Sequence, residues 1–343
     1  MTAPPLIVRC GAFGDMVLLT PLIRLLAARY AQPVDLLSAG TWTVPLLAAM
    51  PELGRIQLLT SRNAPYALCP SQWAAVRWLR RRGHGPVYLC DAGSKIRDLL
   101  ACAGVQADDI VDCLQRPAAQ ADELAPWPDR WIDAGMRDPA RRGLTQSLDN
   151  PVQWRLPRLP VNAAQRSALE HWRRQHGIEG PLILFQPGNK RTHKRGKLGT
   201  LQQNKFWPPE RWAQVARTAL SAHPDGRVVL CGSPGEYRVL EDIRRICGDA
   251  RVLNLARELP VPRLIAMLEA AHSMVSVDTG PAHAAAALGC PLVVLFGAAS
   301  IAMWHPLGPG PVRIEGGQNG KSSRVDDVTA ASVIGQWKLL HSC

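Results

Sequence analysis

Short runs of apolar, mainly β-branched residues alternate along the chain with longer segments whose apolar residues recur at helical spacing. In the first part they predict strands at 6–10, 34–38, 55–59 and 87–90, with helices at 15–30 and 72–82. After residue 160 they predict strands at 182–186, 227–231, 251–255, 273–277 and 292–296, with helices at 163–176, 209–222, 235–246, 261–271 and 282–288. Strands separated by helices are typical of parallel βαβ units, so we predict doubly wound α/β sheets.

The alternation breaks down between residues 114 and 160, where seven prolines accumulate. This region therefore indicates a domain boundary or substrate loops. We predict one domain at 1–160, a second at 161–325 and a terminal helix within 326–343. In α/β domains of this kind, ligands bind at the carboxyl ends of the strands.

Hydrophobic residues make up 47% of the 343 residues, which excludes a disordered protein. The 40 Lys and Arg residues outnumber the 28 Asp and Glu residues and give a formal charge of +12. This surplus indicates an anionic partner, which is nucleic acid, an acidic membrane surface or a phosphorylated substrate. Composition alone does not choose among the three.

The sharpest local feature is residues 276–283, Ser-Val-Asp-Thr-Gly-Pro-Ala-His, where an apolar strand turns into an alanine-rich helix. The N–H groups at a helix start favour a diphosphate. Gly280 permits close approach of the backbone, and Thr279 offers a hydroxyl donor. The alternative is an ordinary strand–helix junction in which Asp278 or Thr279 caps the helix. His283 alone is more typical of a packed histidine than of a catalyst.

A basic segment follows the strand predicted at 182–186. It contains no acid and six cations, which are Lys190, Arg191, Lys194, Arg195, Lys197 and Lys205. At the carboxyl end of a strand such side chains suit phosphate groups. A solvated basic loop is the alternative for 190–197, whereas Trp207 and Pro208 should anchor Lys205 against the fold.

The first predicted strand leads into Gly11, Ala12, Phe13, Gly14 and Asp15. This turn is too short for the dinucleotide fingerprint, so we expect no nicotinamide cofactor. Asp15 either caps the following helix or acts as a general base, and the residues alone leave both roles open.

Together these segments resemble glycosyltransferase family 9, the bacterial ADP-heptose:lipopolysaccharide heptosyltransferases. The likeness is carried by residues 6–17, 19–22, 187–188, 205–208, 230–236, 277–283 and 294–297. Their order and spacing hold along the whole chain, and the likeness is weakest between 114 and 160.

The resemblance implies a GT-B fold, in which two Rossmann-like domains face each other and the second binds the nucleotide-sugar. Members of the family transfer heptose from ADP-heptose with inversion and generally without a metal ion, and this chain has no DxD-type metal motif. We therefore expect no metal and no resident cofactor. In the family the terminal helix often packs back on the first domain.

The match also implies roles for individual residues. Asp15 matches the family's proposed base. The positions that match donor contacts are Lys205, Thr279 and Gly280 for the diphosphate, Glu236 for the ribose, Leu259 for the adenine, and Asp278 and His283 beside them. The acceptor or phosphate candidates are Gly14, Lys190, Arg191 and Lys194.

Two departures from the family pattern leave the substrates open. Residues 298–300, Ala-Ala-Ser, replace a turn that commonly contains Pro-Thr, and the 190–201 loop is longer and more basic than the pattern. The alternatives are a protein or another glycan as acceptor, another nucleotide-activated sugar, and a sugar-nucleotide binder without catalysis. Nucleic-acid binding rests on charge alone, because no helix-turn-helix, zinc-finger or RNP motif accompanies it.

The nine cysteines include no CxxC pair, and several lie in apolar strand-like runs, which predicts buried thiols in a reducing cytoplasm. The N-terminus has no cationic region before an apolar run, so we expect no signal peptide. With the resemblance, this predicts a cytoplasmic enzyme, peripheral at the inner face of the bacterial inner membrane. Its acceptor would be Kdo-lipid A or a heptosylated core.

Overall fold

The computed structural model describes residues 3–61, 63–115, 125–140, 148–189, 204–320 and 323–341. The chain divides into two compact units, Met1–Leu159 and Pro160–Cys343. This boundary lies one residue from the predicted one. Each unit has its own parallel sheet with helices between the strands, so the doubly wound α/β class predicted from the sequence is confirmed.

The strands described in the first unit are β1 Leu6–Arg9, β2 Val34–Ala39, β3 Leu53–Leu59, β4 Val87–Leu89 and β5 Ile110–Asp112. The helices are α1 Phe13–Leu18, α2 Thr20–Tyr30, α3 Thr43–Leu47, α4 Pro70–Arg82, α5 Ser94–Cys102 and α6 Trp127–Gly135. The strands pair in parallel in the order β3-β2-β1-β4-β5.

The strands described in the second unit are β6 Leu182–Gln186, β7 Arg227–Leu230, β8 Val252–Asn254, β9 Ser273–Val277, β10 Leu292–Phe296 and β11 Val312–Gly316. The helices are α7 Ala163–Gln175, α8 Pro209–Ala222, α9 Tyr237–Cys247, α10 Val261–Ala270, α11 Gly280–Ala287, α12 Ile301–Trp304 and α13 Ala330–Lys338. These strands also pair in parallel, in the order β11-β10-β9-β6-β7-β8.

Burial on both faces explains why the central strands are mostly apolar. Every residue of β6, β9 and β10 is buried, as parallel sheets covered by helices require. The alanine-rich α11 is buried on nearly all sides, because small side chains let it lie close to the sheet.

Several elements differ from the prediction. The helix predicted at 15–30 is two helices, because Pro21 has no N–H to donate and the Thr20 hydroxyl donates to the Val17 carbonyl instead, at 2.8 Å. Two strands were not predicted, β5, which has only three residues, and β11, in which every residue is partly exposed. Neither strand therefore forms an apolar run.

Helix α13 packs against α8, β10 and β11 of its own unit. Val333 and Trp337 are buried there, and the Trp337 Nε1 donates to the Ser273 Oγ at 2.8 Å. We expected the terminal helix to pack back on the first domain. Both side chains belong to the core of the second unit. The expected packing on the first domain stays a prediction.

Seven of the eight described cysteines are buried, as predicted, and Cys102 is exposed. Burial raises the pKa of the Cys290 thiol to about 12, so this thiol stays protonated at neutral pH. None of the helices in the described ranges is long and apolar enough to cross a membrane.

Three histidines stack beside α13. The ring of His272 lies 4.3 Å from that of His223 and 4.1 Å from that of His341, between centroids. Burial, followed by the charges that His341 and His223 would carry, lowers the pKa of His272 to about 4. Burial also lowers the pKa of His341. The lowered pKa values keep the imidazoles of His272 and His341 neutral at pH 7.

Acidification should destabilise this stack. A histidine with a lowered pKa binds its proton more readily in the unfolded chain, so the stability it contributes above pH 6.5 is lost as the pH falls toward about 4. We expect the Tm to fall more steeply across this interval in the wild type than in His272→Gln, by calorimetry. The exposed His171 on α7 supplies the control, His171→Gln, and equal slopes in all three proteins would contradict the prediction.

Candidate functional site

The second sheet reverses its strand order between β6 and β9. From β6 the chain builds outward through β7 and β8, and from β9 it builds the other way through β10 and β11. At such a reversal the loops after the two central strands turn to opposite sides and leave a crevice at the carboxyl edge. Residues 187–189 and 278–280 form its two rims.

A lysine and an aspartate are paired at this crevice. The Lys205 Nζ donates to the carbonyl of Asp278 at 2.8 Å and to its Oδ2 at 2.5 Å. The Asp278 side chain is 9% exposed and that of Lys205 is 29% exposed. As expected, Trp207 anchors the segment, because its ring is buried and its Nε1 donates to the Val328 carbonyl at 2.8 Å. The ammonium group is therefore held at the crevice with part of its surface open to solvent.

The N-terminus of α11 lies directly beside this pair. Thr279 is the N-cap residue, but its hydroxyl makes no capping hydrogen bond and lies 3.3 Å from the Ser276 Oγ instead. Gly280 is the first residue of the helix. Because Thr279 makes no capping bond and Gly280 has no side chain, the backbone at the helix start is not covered by a capping side chain. His283 is buried in that turn with 4% of its surface exposed, and its assignment to the donor stays a prediction.

Glu236 joins the loops after β6 and β7. Its Oε2 accepts from the Ser233 N–H at 2.7 Å and from the Ser233 Oγ at 2.6 Å. A Cβ added at Gly188 would lie 1.9 Å from its Oε1, so the carboxylate approaches the bare backbone of this glycine. Glu236 is 4% exposed and lies after β7, the strand that pairs with β6 beside the crevice.

Leu259 lines an open cavity of about 620 Å³ beyond β8 at the same edge. The loops after β7 and β8 and the end of α7 form its walls, which include Pro234, Ala256, Trp172 and His176. This volume lies within the range of roughly 300–1,000 Å³ of small-molecule sites. The crevice, Glu236 and the cavity thus follow one another along the carboxyl edge of the second sheet.

The first sheet reverses its order between β1 and β4, and Asp15 lies in the loop–helix junction after β1. Its Oδ2 accepts from the Ala12 N–H at 2.6 Å, and its Oδ1 accepts from the Arg9 Nη2 at 2.9 Å. The carboxylate therefore caps α1, and its side chain remains 20% exposed. Gly14 lies beside it in the first turn of the helix, partly exposed.

Arg9 is a residue of this site that the sequence analysis missed. Its Nη1 donates to the Cys90 carbonyl at the end of β4 at 2.6 Å, while its Nη2 holds Asp15. The guanidinium also lies 5.9 and 5.7 Å from the ring centroids of Trp127 and Trp131. Arg9 thereby ties the carboxylate to the neighbouring strand. A single cation inside an otherwise apolar strand was the available signal.

Asp91, which the sequence analysis also missed, lies after β4 at the same reversal and is 2% exposed. Its Oδ2 accepts from the Cys10 N–H at 3.1 Å, and its Oδ1 accepts from the Gly93 N–H at 2.9 Å. It therefore fixes the backbone from which Asp15 projects. Its place directly after a buried strand was the signal that would have found it.

Three sequence candidates, Lys190, Arg191 and Lys194, lie outside the described residues. Within the described ranges, no group of three or more His, Cys, Asp and Glu side chains is arranged to hold a metal ion. The remaining candidates fall into two sets, one at the carboxyl edge of each sheet.

A sequence profile of glycosyltransferase family 9 (heptosyltransferase) matches residues 143–332, more than half of the chain. The chain belongs to glycosyltransferase family 9. Lipopolysaccharide heptosyltransferase 2 of Escherichia coli (strain K12) is 26% identical to this family 9 member over 318 residues, which cover 86% of this chain and 82% of the relative.

Two solved structures share the fold of this family 9 transferase. The ADP-heptose lipopolysaccharide heptosyltransferase II of Escherichia coli matches with a TM-score of 0.75 and 23% identity, over 99% of this chain and 98% of the other. A glycosyltransferase family 9 structure from Veillonella parvula has the same TM-score, with 15% identity over 99% and 97%. The GT-B fold predicted from the sequence is confirmed.

In this family 9 transferase, the close approach of Glu236 to Gly188 predicts that a Gly→Ala substitution there is destabilising, whereas the same substitution at Gly335 is not. Gly188→Ala places a methyl group 1.9 Å from a buried carboxylate oxygen, so we expect it to lower the Tm by several degrees. Gly335→Ala, in α13 with no atom within 4 Å, should leave the Tm unchanged or raise it slightly. A Gly188→Ala protein as stable as the wild type would refute the close approach.

Proposed function

We propose that this chain transfers heptose from ADP-heptose to the inner core of lipopolysaccharide, with inversion at the anomeric carbon. The observation that carries the proposal is the Lys205–Asp278 pair beside the uncapped first turn of α11. A cation and backbone N–H groups at a switch point suit a diphosphate. The matching relative is named as a lipopolysaccharide heptosyltransferase, which supports both the sugar and the acceptor.

The second unit is proposed to stabilise the leaving group. As an acceptor hydroxyl attacks the anomeric carbon, the bond to the diphosphate breaks and negative charge develops on ADP. Among the described residues, Asp278 engages two of the three N–H donors of the Lys205 ammonium, so the third remains for a phosphate oxygen. Thr279 and Gly280 would add a hydroxyl and backbone N–H at the same place. Fixed donors of this kind favour the charged transition state.

The rest of the nucleotide would extend along the carboxyl edge. Glu236 lies next to the crevice, where a carboxylate suits the paired hydroxyl groups of ribose. The cavity lined by Leu259 follows, with room for adenine. This order of groups matches that of diphosphate, ribose and base in ADP.

Asp15 is proposed to take the proton of the attacking hydroxyl. Arg9 and the Ala12 N–H each engage one carboxylate oxygen and hold the group in one orientation. A positioned base contributes roughly 10²–10⁴ in rate. Arg9 would act as a positioning residue for this base.

The proposal includes no resident metal or cofactor, because Lys205 and the helix start supply positive charge where the diphosphate leaves. The acceptor would be Kdo-lipid A or a heptosylated core, both anionic and suited to a chain with a charge of +12. Since these acceptors are lipids, we propose a cytoplasmic protein that is peripheral at the inner face of the inner membrane.

The test is incubation with ADP-heptose and heptose-deficient lipopolysaccharide in EDTA, with ADP release and product mass followed. We expect turnover in the wild type and a loss of roughly 10²–10⁴ in Asp15→Asn, which keeps an oxygen for the Ala12 N–H but is a poor base. The affinity for ADP should not change. Near-normal turnover of Asp15→Asn would refute the base, whereas a wild type active only on a protein or another glycan would refute the acceptor.

Lys205→Ala tests the diphosphate site without catalysis. The loss of a charged donor should weaken ADP binding by about 1.5–3 kcal/mol in calorimetry. Lys338→Ala, at an exposed lysine of α13, is the control and should bind ADP normally. Equal affinities in the two variants, with the Tm unchanged, would remove Lys205 from the site.

A further inference from the structure

Exposed apolar side chains are concentrated in one short part of the first unit. Six large apolar side chains are exposed among the described residues, and three of them are Tyr66, Leu68 and Trp73. Leu68 is 78% exposed, the highest value of the six. The Trp73 Nε1 donates to the Tyr66 carbonyl at 2.7 Å, which holds the two aromatic residues together. Clustered apolar exposure of this kind marks an interaction site.

This cluster lies at the same edge of the sheet as Asp15. Tyr66–Leu68 is a 3₁₀ turn that follows the carboxyl end of β3, and Trp73 lies in the first turn of α4. Val44, another exposed apolar residue, follows the carboxyl end of the adjacent β2. Because the strands are parallel, all of these residues lie on the edge to which β1 delivers Asp15.

The charge of this region has one sign. Residues 53–90 contain six arginines and no Asp or Glu. Trp73, Arg77 and Arg81 recur at intervals of four along α4 and are exposed, so they form one face of the helix. We call Tyr66, Leu68, Trp73, Arg77 and Arg81 the α4 surface. Arg80 and Arg82 are engaged elsewhere, with the Cys102 carbonyl and the Asp35 carboxylate.

We propose that the α4 surface docks on an anionic lipid bilayer. Tryptophan and tyrosine favour the headgroup region, an exposed leucine gains from entering the acyl boundary, and arginines attract lipid phosphates. The aliphatic Leu68 at the most exposed point favours a bilayer over nucleic acid, whose bases stack on aromatic rings. This surface would account for the peripheral location that is part of the proposed function. Binding to vesicles can be tested without a sugar substrate.

The test is co-sedimentation of the full chain with vesicles of phosphatidylethanolamine and phosphatidylglycerol, and with vesicles of phosphatidylcholine alone. We expect the wild type to bind the anionic vesicles and to be released by salt. Leu68→Ser should weaken binding by roughly tenfold, and Arg77→Gln with Arg81→Gln by roughly fivefold for each arginine. Leu68 is so exposed that its replacement should leave the fold and the Tm unchanged.

Matched controls are Leu339→Ser and Arg174→Gln, both at exposed positions of the second unit, which should bind like the wild type. Equal binding by the α4 variants and the controls would overturn the proposal, as would a wild type that stays in the supernatant. Pelleting of the protein without vesicles would assign the surface to self-association. If the wild type binds RNA but not vesicles, and the α4 variants lose RNA binding, the surface would belong to nucleic acid. None of these results bears on heptose transfer, which is measured separately.

Discussion

Within each described sheet the strands are parallel, so their carboxyl ends all lie at the same edge of that sheet. This constraint determines where the candidate functional side chains lie. Because helices cover both faces, the central strands are buried and mostly apolar, with Gln186, Ser273 and Ser276 as buried polar exceptions. The loops at the carboxyl edge therefore carry the polar groups. At each reversal of strand order two such loops diverge, and Asp15 and Asp278 each follow a strand at one of these points.

Each of these aspartates is paired with a cationic side chain, but the two pairs differ in how their partners are exposed to solvent. Asp278 is nearly buried and holds a lysine that keeps part of its surface exposed, so the exposed charge is positive and suits an anion. In the first unit the Arg9 and Asp15 side chains are 15% and 20% exposed, so both charges keep part of their surface open to solvent. The two ion pairs therefore differ in whether one partner or both are open to solvent.

The fold was largely predictable because its strongest elements are long, apolar and local. The strands β6, β9 and β10 were predicted with correct bounds, since full burial makes most of their residues apolar. The anchoring of Lys205 was also predictable, because Trp207 is adjacent in sequence. Arg9 and Asp91 escaped because their partners are distant, as Arg9 and the Cys90 carbonyl are 81 residues apart. Spacing along the chain does not reveal contacts that arise only when two strands pair.

The contact between Gly188 and Glu236 links two positions that are 48 residues apart in the printed sequence. Because the Glu236 carboxylate lies where a Cβ at 188 would be, position 188 is restricted to glycine as long as residue 236 is glutamate. A side chain at 188 would require a shorter acid at 236, and such an acid would no longer reach Ser233 in the same way. The two positions should therefore vary together among homologous sequences, so that a residue larger than glycine at 188 accompanies a residue other than glutamate at 236.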